Sequence, residues 1–91
     1  MFQLTYRNRC LRVLKKLDKS VQREILGALE KFAEDPFRDL NVKKLHGTEK
    51  NAYRLRIDRW RVLYLLIQED ELIEVIDIFL KKSEGDYRKR L

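Results

Sequence analysis

The segment 53–64, with the sequence YRLRIDRWRVLY, constrains the fold of this chain more than any other stretch. Apolar and basic residues alternate through its first half, and the apolar face carries Tyr53, Leu55 and Ile57. Because successive side chains of a strand point to opposite faces, Arg54 and Arg56 share the other face. A tight turn follows at 58–59, and Arg61 opens a second strand beside the first. Three guanidiniums held together on a sheet predict an anionic ligand, and phosphate matches their planar fork in a bidentate way.

The chain before this segment changes from a strand period to a helical period. Residues 1–6 alternate as in a short strand, and residues 10–17 and 21–32 then carry apolar side chains at helical spacing. The two helical segments are too close in sequence for a strand to fit between them, so we expect an antiparallel hairpin. Asp35 and Pro36 end the second helix, because the residue before a proline resists the helical conformation.

The second half of the chain is rich in strands. Residues 36–51 are interpreted as a connection. Three of its apolar residues are expected to pack under the domain: Leu40, Val42 and Leu45. From residue 52 three consecutive strands form an antiparallel meander, with the apolar run 60–67 as a central strand covered on both faces. This order predicts an α+β fold, in which an N-terminal strand and a two-helix antiparallel hairpin pack on a mainly antiparallel four-stranded sheet. We expect a single domain over residues 1–91, of which 81–91 form a basic C-terminal tail.

The charge of the chain favours a polyanionic partner. The 91 residues include 21 Lys and Arg against 15 Asp and Glu, which gives a net charge of +6. This charge is unevenly spread, since residues 50–61 hold five basic residues and one acid, whereas residues 69–77 hold five acids and no base. The tail from Lys81 is basic again. A basic hairpin and a basic tail on either side of an acidic turn predict one positive pocket.

The counts of cysteine and histidine exclude several classes of site. The single cysteine, Cys10, cannot form an internal disulfide, and together with the single histidine, His46, it cannot make a structural zinc site. We therefore expect no metal and no cofactor. Cys10 is interpreted as a small buried hydrophobe and His46 as a structural or exposed loop residue. No stretch reaches transmembrane length and no signal peptide is visible, so we expect a cytoplasmic protein with no membrane partner.

Four short motifs stand in order along the chain: LKKL at 14–17, KLHG at 44–47, YRLR at 53–56 and WRVLY at 60–64. With the order of the elements, they resemble the RelE/ParE superfamily of small bacterial and archaeal toxins, over nearly the whole chain. The resemblance implies either mRNA cleavage in the ribosomal A site, by RelE-like members, or poisoning of DNA gyrase, by ParE-like members. It also implies a cognate antitoxin. The toxin would contact operator DNA only through that antitoxin. Apolar positions on the outer helix faces and an uncovered sheet edge would offer that antitoxin grooves for a helix or an added strand.

The same resemblance implies a set of catalytic residues. RelE-type nucleases place two basic residues on the strand after the connection, matched here by Arg54 and Arg56, and an arginine at the start of the next strand, matched by Arg61. A basic residue after the last strand and a tyrosine in the tail are matched by Lys81 and Tyr87. The best-known nuclease has lysines at the first two positions, many members have a histidine near the end of the last strand, and the hairpin turn usually contains glycine. These three departures leave open which group moves the proton.

RNA cleavage by attack of the 2′-OH on the adjacent phosphate needs charge stabilisation and proton transfer, and requires no metal. The three arginines suit charge stabilisation, but they are poor bases because arginine stays protonated. Lys81 is the better candidate for proton transfer, since neighbouring guanidiniums favour the neutral form of an amine. Tyr87 would stack on a nucleobase or donate its hydroxyl to a phosphate. The leading hypothesis is a ribosome-dependent mRNA endoribonuclease that is controlled by an antitoxin.

Two other functions stay open: a ParE-like DNA gyrase inhibitor without nuclease activity, and an inactive member that binds nucleic acid or antitoxin. The basic residues also have simpler interpretations. Arg54 and Arg56 would then be the solvated face of an edge hairpin, and Arg61 would form a surface ion pair with Asp58 or Glu74.

Overall fold

Five strands and two helices make up the part of the chain that the structure describes. The computed structural model describes residues 1–45 and 51–81. The elements follow in the order β1 (Gln3–Tyr6), α1 (Asn8–Lys15), α2 (Lys19–Glu34), β2 (Val42–Lys44), β3 (Ala52–Ile57), β4 (Trp60–Ile67) and β5 (Leu72–Leu80). A single 3-10 turn, Gln68–Asp70, joins β4 to β5. The α+β fold predicted from the sequence is confirmed, with one strand more than expected.

The strands form one sheet in the order β1-β5-β4-β3-β2. The first strand runs parallel to β5, and the other three pairs are antiparallel. The predicted meander therefore forms, and β4 lies in the middle of the sheet. Every residue of β4 except Ile67 is buried, as expected for a strand covered on both faces.

The apolar side chains form one cluster on each face of the sheet. The helical hairpin covers one face and contributes Cys10, Leu14, Ile25, Leu29, Phe32 and Ala33 to the larger cluster. At its centre the ring of Tyr64 meets Phe32 edge-on, with centroids 5.2 Å apart, and stacks on Tyr53 at 5.6 Å. The smaller cluster, on the other face, includes Leu63, Leu65 and Phe79. The three-stranded meander thus carries buried apolar side chains on both of its faces.

The strand missing from the prediction is β2, which lies in the segment interpreted as a connection. It pairs with β3 at the edge of the sheet, where Val42 lies opposite Leu55 and Lys44 opposite Tyr53. Three residues are too few to display the strand period, so the backbone pairing alone defines this element. The expected burial of the segment is only partly correct, because Leu45 is buried whereas Leu40 is 97% exposed. Within residues 1–45 and 51–81, no helix has the length and apolar character needed to cross a membrane.

Cys10 makes the stability of the fold sensitive to alkaline pH. Its thiol is fully buried and donates a hydrogen bond to the Val75 carbonyl, 3.4 Å away. Burial, with a smaller effect of the Asp77 carboxylate, raises the pKa of the Cys10 thiol from 9.0 to about 11. Between these two values the unfolded chain loses a proton that the folded chain keeps. The resulting stabilisation is therefore complete below pH 9 and is lost as the pH rises to about 11.

We expect the free energy of unfolding to fall more steeply above pH 9 in the wild-type chain than in Cys10→Ala. The extra slope is roughly 1 kcal/mol per pH unit. Urea titrations at pH 8, 9 and 10 measure it. The comparison between the two chains is needed because burial also raises the pKa of Tyr6 and Tyr64, which adds alkaline destabilisation to both. Parallel curves for the two chains would contradict the prediction.

Candidate functional site

The register of the β3–β4 hairpin brings two of the predicted arginines face to face. Ile57 pairs with Trp60, which leaves a two-residue turn, and Arg56 lies directly opposite Arg61. Arg54 lies two residues further along the same face, opposite Leu63. Like charges directly opposite each other destabilise a sheet unless each charge is compensated. The contacts of these guanidiniums therefore decide what the hairpin can bind.

Arg56 is oriented by an asparagine from the connection before β2. Its side chain is exposed, and its Nη2 donates to Oδ1 of Asn41 at 2.6 Å, while its backbone N–H donates to the Asn41 carbonyl at 3.0 Å. Asn41 is itself held by its backbone N–H, which donates to the Asp39 carboxylate at 2.8 Å. This chain of hydrogen bonds fixes one side of the Arg56 guanidinium.

Arg61 is buried and is bound to the backbone of the hairpin turn. Only 5% of the residue is exposed, and its Nη1 donates to the carbonyls of Asp58 and Trp60, both at 2.9 Å. A surface ion pair with Glu74 is therefore the wrong interpretation, and Glu74 instead accepts a hydrogen bond from Nε of Arg7 at 2.9 Å. The Arg61 guanidinium thus anchors the turn and lies beneath it.

Lys81 reaches the same turn from the end of β5. Leu80 lies opposite Trp60, and the backbone N–H of Lys81 donates to the Arg59 carbonyl at 2.8 Å. The side chain of Lys81 is exposed. A backbone hydrogen bond therefore holds this lysine beside the hairpin turn, although Lys81 follows Arg59 by 22 residues in the sequence.

These groups meet in an open basic cleft of about 430 Å³. Its described lining residues are Asn41, Arg56, Asp58, Arg59, Arg61 and Lys81. Four cations face one carboxylate, so the cleft suits an anionic ligand. It brings together three of the predicted site residues. Arg54 is not among its described lining residues, and Tyr87 and His46 lie outside the described part of the chain.

Asn41 and Arg59 line the cleft, although neither was predicted from the sequence to do so. The only signal for Asn41 was its place before a basic segment, because its contact with Arg56 depends on the pairing of β2 with β3. Arg59 had a clearer signal, since a turn residue beside Arg61 must lie close to the same pocket.

A larger groove of about 700 Å³ adjoins the basic cleft and shares Asn41, Arg56 and Asp58 with it. It runs between the C-terminal half of α2 and the end of β3. Its described charged residues are Lys31, Arg38, Arg56, Glu34, Asp35, Asp39 and Asp58. Four carboxylates against three cations make this groove a poor site for a polyanion, in spite of its size. In residues 1–45 and 51–81, no three His, Cys, Asp or Glu side chains are grouped so that they could hold a metal ion.

Comparison with known proteins identifies the family. Residues 12–91 match the model of the phage-derived Gp49-like proteins (DUF891). An Escherichia coli protein named as a RelE-like toxin is 30% identical over 88 residues, with 94% of this chain and 90% of that protein covered. The chain belongs to the Gp49-like family and is a RelE-like member of the RelE/ParE superfamily. A relative in Methanocaldococcus jannaschii named as toxin RelE1 is 28% identical over 96% of both chains.

Solved structures confirm the fold of this RelE-like chain. One chain of the archaeal RelE–RelB complex from Pyrococcus horikoshii superposes on this chain with a TM-score of 0.77. The superposition covers 91% of this chain and 98% of the matched chain, at 22% sequence identity. The fold that the resemblance to the RelE/ParE superfamily implied is thus confirmed.

The RelE-like chain also carries an apolar groove of about 350 Å³ between its two helices. Its lining residues are Tyr6, Leu11, Leu14, Lys15, Gln22 and Leu26. Leu11 is 47% exposed, so the outer face of α1 has the apolar character predicted for it.

Proposed function

We propose that this chain is the toxin of a type II toxin–antitoxin module and that it cleaves mRNA on the ribosome, in the cytoplasm, by attack of the 2′-OH on the adjacent phosphate. The observation that carries the proposal is the convergence of Arg56, Arg61 and Lys81 in one basic cleft. They come from β3, β4 and the end of β5, and backbone hydrogen bonds hold these elements together. Cations fixed on a rigid sheet can stabilise charge that develops on phosphorus without moving during the reaction.

The contacts of the three cations favour different roles. Arg61 is fixed by two carbonyls, so it stabilises the transition-state charge from a constant position. Arg56 is exposed and held by Asn41, which suits a bidentate contact with the phosphate. Lys81 is exposed and lines the cleft, and it gives a proton to the departing 5′-oxygen.

The two remaining predicted residues, Arg54 and Tyr87, are not among the described lining residues of the cleft. Arg54 lies on the same sheet face, opposite Leu63, and we assign it to the RNA backbone next to the scissile phosphate. Tyr87 belongs to the tail beyond the described residues, and stacking on a nucleobase stays its predicted role.

A cognate antitoxin is the proposed partner, besides the ribosome and mRNA. The P. horikoshii relative was solved as a complex with RelB. The basic cleft favours an acidic segment, and the apolar groove between α1 and α2 favours the apolar face of a partner element. Operator DNA is contacted only through that antitoxin.

The test is primer extension on an mRNA that is translated in a purified system, with and without this protein. We expect cuts at A-site codons that vanish when ribosomes are omitted. Arg23→Ala is the matched control, since it removes one exposed positive charge from α2, outside the described lining of the cleft. An intact transcript with continuing translation would overturn the proposal, and an assay for gyrase cleavage complexes would then test the ParE-like alternative.

Asn41→Ala tests whether the orientation of Arg56 matters for cleavage. The change removes the side-chain acceptor at 2.6 Å and leaves the backbone hydrogen bond between the two residues in place. Losing one charge-assisted hydrogen bond should lower kcat/KM about tenfold. The same change in an Arg56→Ala background should have no further effect, and a double-mutant cycle measures this. Additive losses would show that Asn41 acts independently of Arg56, and Asn8→Ala is the control for an exposed asparagine.

A further inference from the structure

The described lining of the basic cleft includes one acidic residue besides its four basic residues. Among the described residues that line the cleft, Asp58 is the single acid. It occupies the first position of the two-residue turn between β3 and β4, with a φ of 53°. Glycine adopts this left-handed conformation most easily, and aspartate is among the few other residues that adopt it readily.

The position of Asp58 is fixed by its surroundings. The Asp58 carbonyl accepts a hydrogen bond from Arg61 Nη1 at 2.9 Å, and the same nitrogen binds the Trp60 carbonyl. On the other side of the turn, the Arg59 carbonyl accepts from the backbone N–H of Lys81 at 2.8 Å. The turn is thus tied both to the buried Arg61 and to the end of β5, and Asp58 lines the cleft together with Arg56 and Lys81.

The proposed reaction needs a proton acceptor that the cations of the cleft do not provide. Arginine stays protonated in proteins, and a lysine that gives a proton to the leaving oxygen must begin the reaction charged. A carboxylate is ionised at neutral pH and accepts hydrogen bonds from hydroxyl groups. On the basis of the function proposed above, we infer that Asp58 is a further catalytic residue, whose carboxylate accepts the proton of the attacking 2′-OH.

The step balances with the groups of the cleft. The O2′–H bond breaks and its proton passes to the Asp58 carboxylate, while the electron pair forms a new O2′–P bond. The P–O5′ bond breaks, and its electron pair leaves on the 5′-oxygen, which takes a proton from the Lys81 ammonium. The products are a 2′,3′-cyclic phosphate and a 5′-hydroxyl end. Asp58 and Lys81 both end neutral, and exchange with solvent restores their charges.

Asp58→Asn separates this role from a merely structural one. The change removes the negative charge from a cationic cleft with almost no change of shape, so the affinity for RNA should stay equal or rise in either case. A proton acceptor predicts that kcat for ribosome-dependent cleavage nevertheless falls about a hundredfold or more, with KM unchanged or lower. A turn residue or a simple counter-charge predicts that kcat is kept and that kcat/KM rises.

Asp58→Gly is the control for a folding defect as the cause of lost cleavage. Glycine adopts the observed φ easily, so this variant should have at least the thermal stability of the wild type. We expect the same loss of kcat as in Asp58→Asn. Glu24→Gln, which removes an exposed carboxylate from α2, should cleave at the wild-type rate. Cleavage at the wild-type rate by both Asp58 variants would overturn the assignment and leave the proposed nuclease function intact. A wild-type chain that does not cleave mRNA on the ribosome would overturn both.

Discussion

Arg61→Ala is expected to reduce ribosome-dependent mRNA cleavage by about a hundredfold to a thousandfold and also to destabilise the fold. The Arg61 guanidinium is buried at the base of the cleft, where a preorganised cation has its greatest effect on developing charge. The same group donates to two carbonyls of the hairpin, which lose their partner in the variant. Carbonyls left without a donor should lower the free energy of unfolding by about 1–3 kcal/mol.

Arg61→Lys separates the two contributions. Lysine keeps the charge, but its single ammonium cannot reproduce a planar fork that binds both the turn and a phosphate. We expect most of the stability to return while cleavage stays at least tenfold below wild type, as measured by urea unfolding and single-turnover cleavage. Arg23→Ala is the control for the loss of an exposed arginine. If Arg61→Ala cleaves at the wild-type rate when it is folded, Arg61 serves the turn alone.

Most of the fold could be predicted because every element except β2 is long enough to show a periodic pattern of apolar residues. The alternation of residues 53–57 and the helical spacing of residues 21–32 each report which side of the element is buried. The strand β2 could not be predicted, because Val42–Lys44 is too short for a period and forms only through its pairing with β3. A strand that forms only through pairing with its neighbour shows no periodic pattern in its own sequence.

The candidate site was predictable only in outline, for a related physical reason. Arg56 and Arg61 follow from the hairpin register, which a two-residue turn determines. The hydrogen bonds from Arg61 to the turn carbonyls could not be predicted, since a strand residue next to a turn can face either water or the turn. The contact between Asn41 and Arg56 depends on the edge strand that was not predicted. Long-range pairing therefore decides which polar groups complete the site.

Lys81→Ala is expected to abolish most cleavage while ribosome binding is largely kept. If Lys81 protonates the departing 5′-oxygen, its removal should lower kcat by about 10²–10⁴-fold. Binding should change little, because three arginines still line the cleft. The backbone hydrogen bond from residue 81 to the Arg59 carbonyl does not involve the side chain, so the end of β5 should keep its place. Single-turnover cleavage and ribosome co-sedimentation measure the two effects, and Lys16→Ala is the control for an exposed lysine.

Lys81→Arg then distinguishes proton transfer from charge alone. Arginine keeps the positive charge in the cleft but does not release its proton under ordinary conditions. A proton donor therefore predicts that Lys81→Arg is nearly as slow as Lys81→Ala, whereas a simple counter-charge predicts cleavage close to wild type. Because Lys81 and Asp58 line the same cleft, removing both groups should cost much less than the product of the two single losses. Independent, multiplying losses would mean that the two residues act in separate steps.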